Sequence, residues 1–203
     1  MTIRKAKTQE ELLKAALKVV SEKGYLGATT REIAKVAGVT ELTLFRHFGS
    51  KEKLFGELLS RHTFLPKLKE LMPELEALPY EEALRLIATR FLLSLKERKE
   101  MVMIMHSEIN RYPDKIRTVY YGAIDEMRKT LAQYFLSLQK RGKFRQVAPN
   151  IAASMFLGMF FSYFRTEEIM QGRDITRGGR MERQVRALVD IFIHGTLARR
   201  DSA

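Results

Sequence analysis

Apolar side chains recur along this chain at spacings of three and four residues, with prolines and glycines between the runs, so the pattern predicts helices throughout. Leu13, Ala16, Leu17 and Val20 form the first stripe. A Ser/Thr-x-x-Glu capping box at Thr8 and Glu11 predicts its start, and Gly24 its end. A second, short helix draws an apolar face from Ile33, Ala34 and Ala37, between a capping box at Thr29 and Glu32 and a stop at Gly38. Glycine takes the left-handed backbone of a sharp turn without steric penalty, and Thr40 then caps a third helix. Ala34 is small enough for two helices to cross closely, and Val39 and Leu44 fill the space between them. Ser50 caps a fourth helix whose Leu54, Phe55, Leu58 and Leu59 lead toward Pro66, where a missing amide hydrogen bends or ends it.

Beyond that point Pro73 and Pro79 bracket what reads as a polar linker, and Leu84, Ile87, Ala88, Phe91, Leu92 and Leu95 predict a helix. Residues 101–105 are five apolar side chains in a row, which suits a short strand or a buried helix; with no partner strand in view, helix is the reading. Residues 114–141 carry Ile116, Tyr120, Ala123, Met127, Leu131, Tyr134 and Leu138 on one face. Residues 151–164 are apolar around the whole circumference apart from Ser154, Ser162 and Tyr163, which predicts burial on every side. That run is too short to cross about 30 Å of hydrocarbon, so no membrane partner is expected, and burial in a dimer is the better account. A last helix over residues 181–197 has Met181, Val185, Leu188 and Phe192 on one face, after an Arg- and Gly-rich connection at 172–179 that is expected to be mobile.

The helix-turn-helix spacing from Thr29 to Leu54 is the most specific feature. The run Ile33 to Thr40, I-A-K-V-A-G-V-T, the aromatic-x-His-Phe run at Phe45 to Phe48, and Ser50-Lys51-Glu52 followed by Leu54 resemble, position by position, the DNA-binding domain of the tetracycline-repressor (TetR) family of bacterial transcription regulators. The motifs cover about the first third of the chain; the remainder is similar in architecture. Two positions depart from the family pattern. Phe45 stands where a tyrosine usually offers a hydroxyl to a phosphate, and Leu42 where glycine or alanine is common in the recognition helix.

The resemblance implies an all-α fold: a three-helix helix-turn-helix domain over residues 1–54, a connecting helix to about 66, and a helical ligand-binding and dimerisation domain over 67–203. It implies that residues 41–47 lie in the major groove of double-stranded DNA. Thr40, Glu41, Leu42, Thr43 and Arg46 are then candidates for base or near-base contact: Leu42 on a thymine methyl, Glu41 accepting from a cytosine amino group, Arg46 on guanine. Thr30, His47 and Lys51 match the family's phosphate-contacting positions. Each also has a plainer role available: helix-dipole compensation for Glu41, packing for His47, solvation for Arg46.

Composition adds direction. The formal net charge is +12, which favours a polyanionic partner, although arginines at 165, 173, 177, 180, 183, 186, 199 and 200 spread that charge well beyond the motif. The chain has no cysteine, which removes disulfides, thiolate zinc sites and thiol nucleophiles, and its polar, basic first residues do not read as a secretory leader; a cytoplasmic, nucleoid-associated protein is expected. No Gly-rich phosphate loop, nucleophile elbow or zinc-protease motif occurs, and His47, His62, His106 and His194 are scattered. No enzyme, metal or cofactor is expected.

In the body, Met101, Met103, Met105, Met127, Met155, Met159 and Met170 with Phe91, Tyr120, Phe156, Phe160 and Phe164 form a soft, aromatic set able to line an adaptable pocket, with His106, Glu108, Asn110 and Arg111 as polar groups to orient a ligand. Ordinary core packing is the alternative for any one of them. The resemblance implies a homodimer joined through the last two helices, with Met155, Met159, Met181, Val185, Leu188 and Phe192 at the seam. Together these expectations describe a repressor released from a palindromic operator by an apolar or amphipathic small molecule. The alternative is a DNA-binding regulator whose body serves only to dimerise.

Overall fold

The computed structural model describes residues 3–61, 63–109 and 114–196, with the side chains of residues 3, 4, 104, 106–108 and 115 outside that description. Among the described residues the chain is helical and contains no strand. In chain order the helices are α1 (Ile3–Gly27), α2 (Thr30–Val36), α3 (Glu41–Phe48), α4 (Lys51–Arg61), α5 (Leu65–Ala77), α6 (Tyr80–Glu97), α7 (Lys99–Glu108), α8 (Asp114–Lys140), α9 (Pro149–Phe164) and α10 (Arg180–Thr196). Packing groups them into two compact units, residues 1–63 with 100–123 and residues 64–99 with 124–203.

In the first unit α1 begins at Ile3, upstream of the Thr8 capping box, because Lys5, Ala6 and Lys7 sustain a helix and nothing breaks it. Gly24 takes a φ of 69° and kinks the helix, and one more turn runs to Gly27. The interior joins Leu12, Ala16, Val19 and Val20 of α1 to Ile33, Ala34, Leu44, Phe48, Leu54, Phe55 and Leu58. Met101, Met105, Ile109 and Ile116 belong to the same core, so α7 and the start of α8 pack with the helix-turn-helix rather than apart from it. Gly56 permits that approach on α4: a Cβ there would lie 3.1 Å from Val119 Cγ1.

Pro66 does not bend α4. That helix ends at Arg61, and the proline occupies the first turn of α5, where its missing N–H leaves no helical bond unmade. The expected polar linker between Pro73 and Pro79 is itself α5. Pro73 sits inside it, and the buried Leu68 and Leu75 hold the helix in place despite one lost backbone bond.

The second unit is built on an aromatic interior. The rings of Phe135 and Phe144 stack at 4.9 Å, Phe156 lies 5.0 Å from Phe160 and 5.1 Å from Phe192, and Phe135 is 5.7 Å from Phe192. α6, α9 and α10 pack on one another around this cluster. The connection at 172–179, expected to be mobile, is fastened: Ile175 is fully buried, its amide donates to Glu168 at 2.9 Å, and Asp174 accepts from the Thr176 amide at 2.9 Å and from Lys96. Those partners hold the Asp174 carboxyl well below the ordinary carboxylate range.

α9 is not buried on every side within this unit. Ala152, Ala153, Phe156 and Phe160 face inward, whereas Ile151 and Met155 are 65% and 59% exposed, with Gly158 and Ser162 continuing the bare face. On α10 the stripe Met181, Val185 and Phe192, read from the sequence as a seam between subunits, points into the subunit's own core. The outward apolar position is Ile191, 63% exposed, flanked by Ala187 and Gly195. Of the seam residues expected, Met155 is on the outer face, and Met159 and Leu188 lie half-buried at its edge.

Candidate nucleic-acid interface

α2, the turn after it and α3 form the motif. The Thr29 hydroxyl accepts from the Glu32 amide at 3.2 Å and starts α2, but the return half of the capping box is absent because Glu32 pairs with Lys23 at 2.5 Å. Gly38 has a φ of 68°, and the Val39 amide bonds back to the Ala34 carbonyl at 3.0 Å, which closes the turn. Thr40 then accepts from the Thr43 amide at 3.2 Å and caps α3. Leu44 and Phe48 anchor α3 in the core, so the remaining positions of this two-turn helix are presented outward.

Leu42 is 79% exposed and Arg46 and Phe45 are also exposed; Thr40 is exposed and Thr43 half-buried. These residues converge on the N-terminal and outer face of α3. An isolated leucine left this bare forgoes about 1.5–3 kcal/mol of burial, which a thymine methyl or another apolar partner recovers. Glu41 is turned differently. Its Oε1 accepts from the Thr30 hydroxyl at 2.5 Å and its Oε2 lies 3.9 Å from Arg31 Nε, so the carboxylate addresses the start of α2.

Lys51 opens α4, whose cap is Ser50, accepting from the Lys53 amide at 3.2 Å. Its Nζ sits 4.3 Å above the Tyr25 ring, a cation–π platform absent from the sequence reading. Burial lowers the Lys51 pKa from its ordinary 10.5. Burial, helped by the Glu52 carboxylate, pushes the Tyr25 phenol up to about 12. The platform was detectable only as an aromatic residue following the Gly24 kink; the pairing itself is tertiary. His47 is held below its ordinary 6.5 by burial and by the charges of Lys5 and Arg46, and is neutral in the free protein at neutral pH.

A phosphate at His47 would reverse that bias by favouring the imidazolium, so the bound pKa must exceed the free one. Binding then takes up a proton, and affinity rises as pH falls from the bound pKa toward the free pKa. We expect DNA affinity to be higher at pH 6 than at pH 8. His47→Gln should flatten the profile. An unchanged slope in that variant would remove His47 from the contact set.

Comparison with known proteins places this arrangement. A profile described as "Bacterial regulatory proteins, tetR family" matches residues 12–58, and one described as "AefR-like transcriptional repressor, C-terminal domain" matches residues 82–195. The chain belongs to the TetR family. It is 31% identical to the HTH-type transcriptional regulator YvkB of Bacillus subtilis (strain 168) over 77% of this chain and 81% of that one. The crystal structure of a TetR-family regulator from Mesorhizobium loti MAFF303099 superposes with a TM-score of 0.77 at 26% identity, covering 97% of this chain and all of the other. At 17% identity, FadR of Bacillus subtilis, solved with stearoyl-CoA, shares the fold with a TM-score of 0.69 over 92% of this chain and 98% of that one. The protein is therefore a TetR-family transcriptional regulator with a DNA-binding helix-turn-helix, and no described helix is long and apolar enough to cross a membrane.

The pocket candidates of this TetR-family chain divide between the units. Phe91, Met127, Phe156, Phe160 and Phe164 are buried in the second; Met103, 42% exposed, and the half-buried Tyr120 belong to the first. Phe156 and Phe160 are brought together in the aromatic cluster. The side chains of His106 and Glu108, and residues Asn110 and Arg111, lie outside the described part of the structure, as do His62, Arg199 and Arg200. Met170 is exposed, whereas Met101 and Met105 serve the core of the reading unit.

Proposed function

We propose that this protein is a homodimeric repressor that reads a palindromic operator through α3 and leaves it when an apolar or amphipathic small molecule binds the body. The observation that carries the DNA reading is the outward face of α3: an exposed Leu42 beside Arg46, capped by Thr40 and backed by Leu44 and Phe48. Thr40, Leu42, Thr43 and Arg46 are assigned to base edges, and His47 and Lys51 to phosphates. One such helix covers only a few base pairs. Two held about 34–36 Å apart, or at a multiple of that spacing, read successive half-sites, which makes the operator a palindrome.

The outer stripe of α9 and α10, with Ile151, Met155 and Ile191, supports self-association, because a bare apolar face of this kind is costly in water. Control by a small molecule is supported by the methionine-rich, aromatic body and by a fold that in FadR accommodates stearoyl-CoA. The stacked rings of Phe135 and Phe144, with Phe156 and Phe160 packed edge-on beside them, favour the second reading, in which the body's interior is packing and the chain regulates without an effector. Release of operator DNA by medium- or long-chain acyl compounds separates the two: displacement supports the first reading, and indifference to an apolar ligand panel supports the second.

The reading head is tested by substitution. Lys51→Ala should weaken every DNA sequence similarly and reduce the salt slope by about 2, one for each head, whereas Leu42→Ala and Arg46→Ala should relax preference at equivalent half-site positions by about 1–3 kcal/mol. Unaltered binding in all three variants would contradict the assignment.

A further inference from the structure

We propose that Glu41 is a positioning residue, a brace that locks the start of α3 to the start of α2, and that it does not read a base. The inference rests on the DNA-reading assignment above. The turn through Gly38 joins the end of α2 to the beginning of α3, and Ile33 and Ala34 share a core with Leu44 and Phe48 on the inner side of the pair. The 2.5 Å hydrogen bond from Thr30 Oγ1 to Glu41 Oε1 joins residues eleven apart in sequence and supplies a further point of attachment, at the other end of α2. The bond adds a polar tie between the two helix starts to the turn and the apolar packing that already join them.

Charge and stoichiometry point the same way. Both Glu41 oxygens are turned to α2, Oε1 to Thr30 and Oε2 toward Arg31, whereas Leu42, the next residue, is turned outward. A carboxylate at the first position of a helix is favoured by the helix dipole, so Glu41 is stable there without a nucleic-acid partner. In a groove flanked by phosphates the same carboxylate meets repulsion that only a well-placed cytosine amino group offsets. A threonine hydroxyl carries a single proton, and that of Thr30 is donated to Glu41. Thr30 therefore cannot donate to a phosphate while the brace is intact, and it belongs to the brace rather than to the phosphate contacts.

The test compares Glu41→Ala, Glu41→Gln, Thr30→Val, Thr30→Ser and the Glu41→Ala/Thr30→Val double variant in random-duplex selection, operator titration and DNA-free amide exchange. Glu41→Ala and Thr30→Val should each weaken binding to all sequences by a common factor, roughly five- to thirtyfold across two heads. Base preference should stay unchanged. The double variant should lose no more than either single change, since both remove one interaction. Glu41→Gln, which keeps the acceptor oxygen, and Thr30→Ser, which keeps the donor, should bind close to the unaltered protein. Without DNA, exchange at amides of residues 30–48 should rise alike in Glu41→Ala and Thr30→Val; should Glu41→Ala fail to fold, Thr30→Val carries both readouts. A changed base preference at one half-site position in Glu41→Ala or Glu41→Gln, but not in Thr30→Val, would overturn the proposal by making Glu41 a reader. Unchanged exchange in Thr30→Val would overturn it too, and that readout holds even if the protein selects no DNA sequence, which would refute the DNA reading instead.

Discussion

Ile191→Glu should convert the protein to a monomer and reduce operator affinity by roughly 100-fold or more, the advantage that tethering two weak reading heads confers. Ile191 is 63% exposed on α10, so the charge does not enter the subunit's own core, and helix content should be retained. In a dimer built on this face the carboxylate must be desolvated in an apolar seam, and two-fold symmetry doubles that cost. Met155→Glu, on the neighbouring stripe of α9, should behave alike. Val185→Glu and Phe192→Glu form the contrast: both positions are buried within one subunit, so they should unfold the second unit rather than merely separate subunits. Sedimentation separates these outcomes directly. An Ile191→Glu protein that stays dimeric would move the interface to another face.

The second large effect is expected far along the chain from the motif. Ile116→Ala should destabilise the reading unit by about 2–5 kcal/mol, because Ile116 is fully buried in the same core as Leu44 and Leu54 and its removal leaves a cavity there. Met105→Ala, equally enclosed, should follow it. Native stability is commonly only about 5–15 kcal/mol, so either change takes a large share. Hydrogen exchange should then quicken across residues 12–59 while the aromatic cluster around Phe135 and Phe156 keeps its protection. Loss of protection confined to the second unit would show that α7 and the start of α8 do not support the head.

The helix-turn-helix was legible because its determinants are local. Thr29, Gly38 and Thr40 act on backbone within four residues of themselves, and the structure shows each performing the expected cap or turn. Ile33, Ala34 and Leu44 were legible through helical spacing alone. What escaped the sequence is tertiary. α9 is apolar all round, so it carries no periodicity from which to tell its inner face, Phe156 and Phe160, from its outer one, Ile151 and Met155. On α10 the periodic stripe at Met181, Val185 and Phe192 is real, but periodicity says only that a face is covered, not whether the cover is the same subunit or another. Pro73 suggested a linker because proline disfavours helices, yet the buried Leu68 and Leu75 on either side of it outweigh a single missing bond. The Thr30–Glu41 and Lys51–Tyr25 contacts join residues eleven or more apart, beyond any local rule.

In the proposed complex α3 reads DNA as one of a symmetric pair. Selection of random duplex DNA by the purified protein, followed by salt titration of the enriched sequence, tests it most directly. The expected product is an inverted repeat whose half-site centres lie about 10–10.5 base pairs, or a multiple, apart, with affinity falling steeply as salt rises. Recovery of sequences with no common motif, or of a motif without two-fold symmetry, would contradict it.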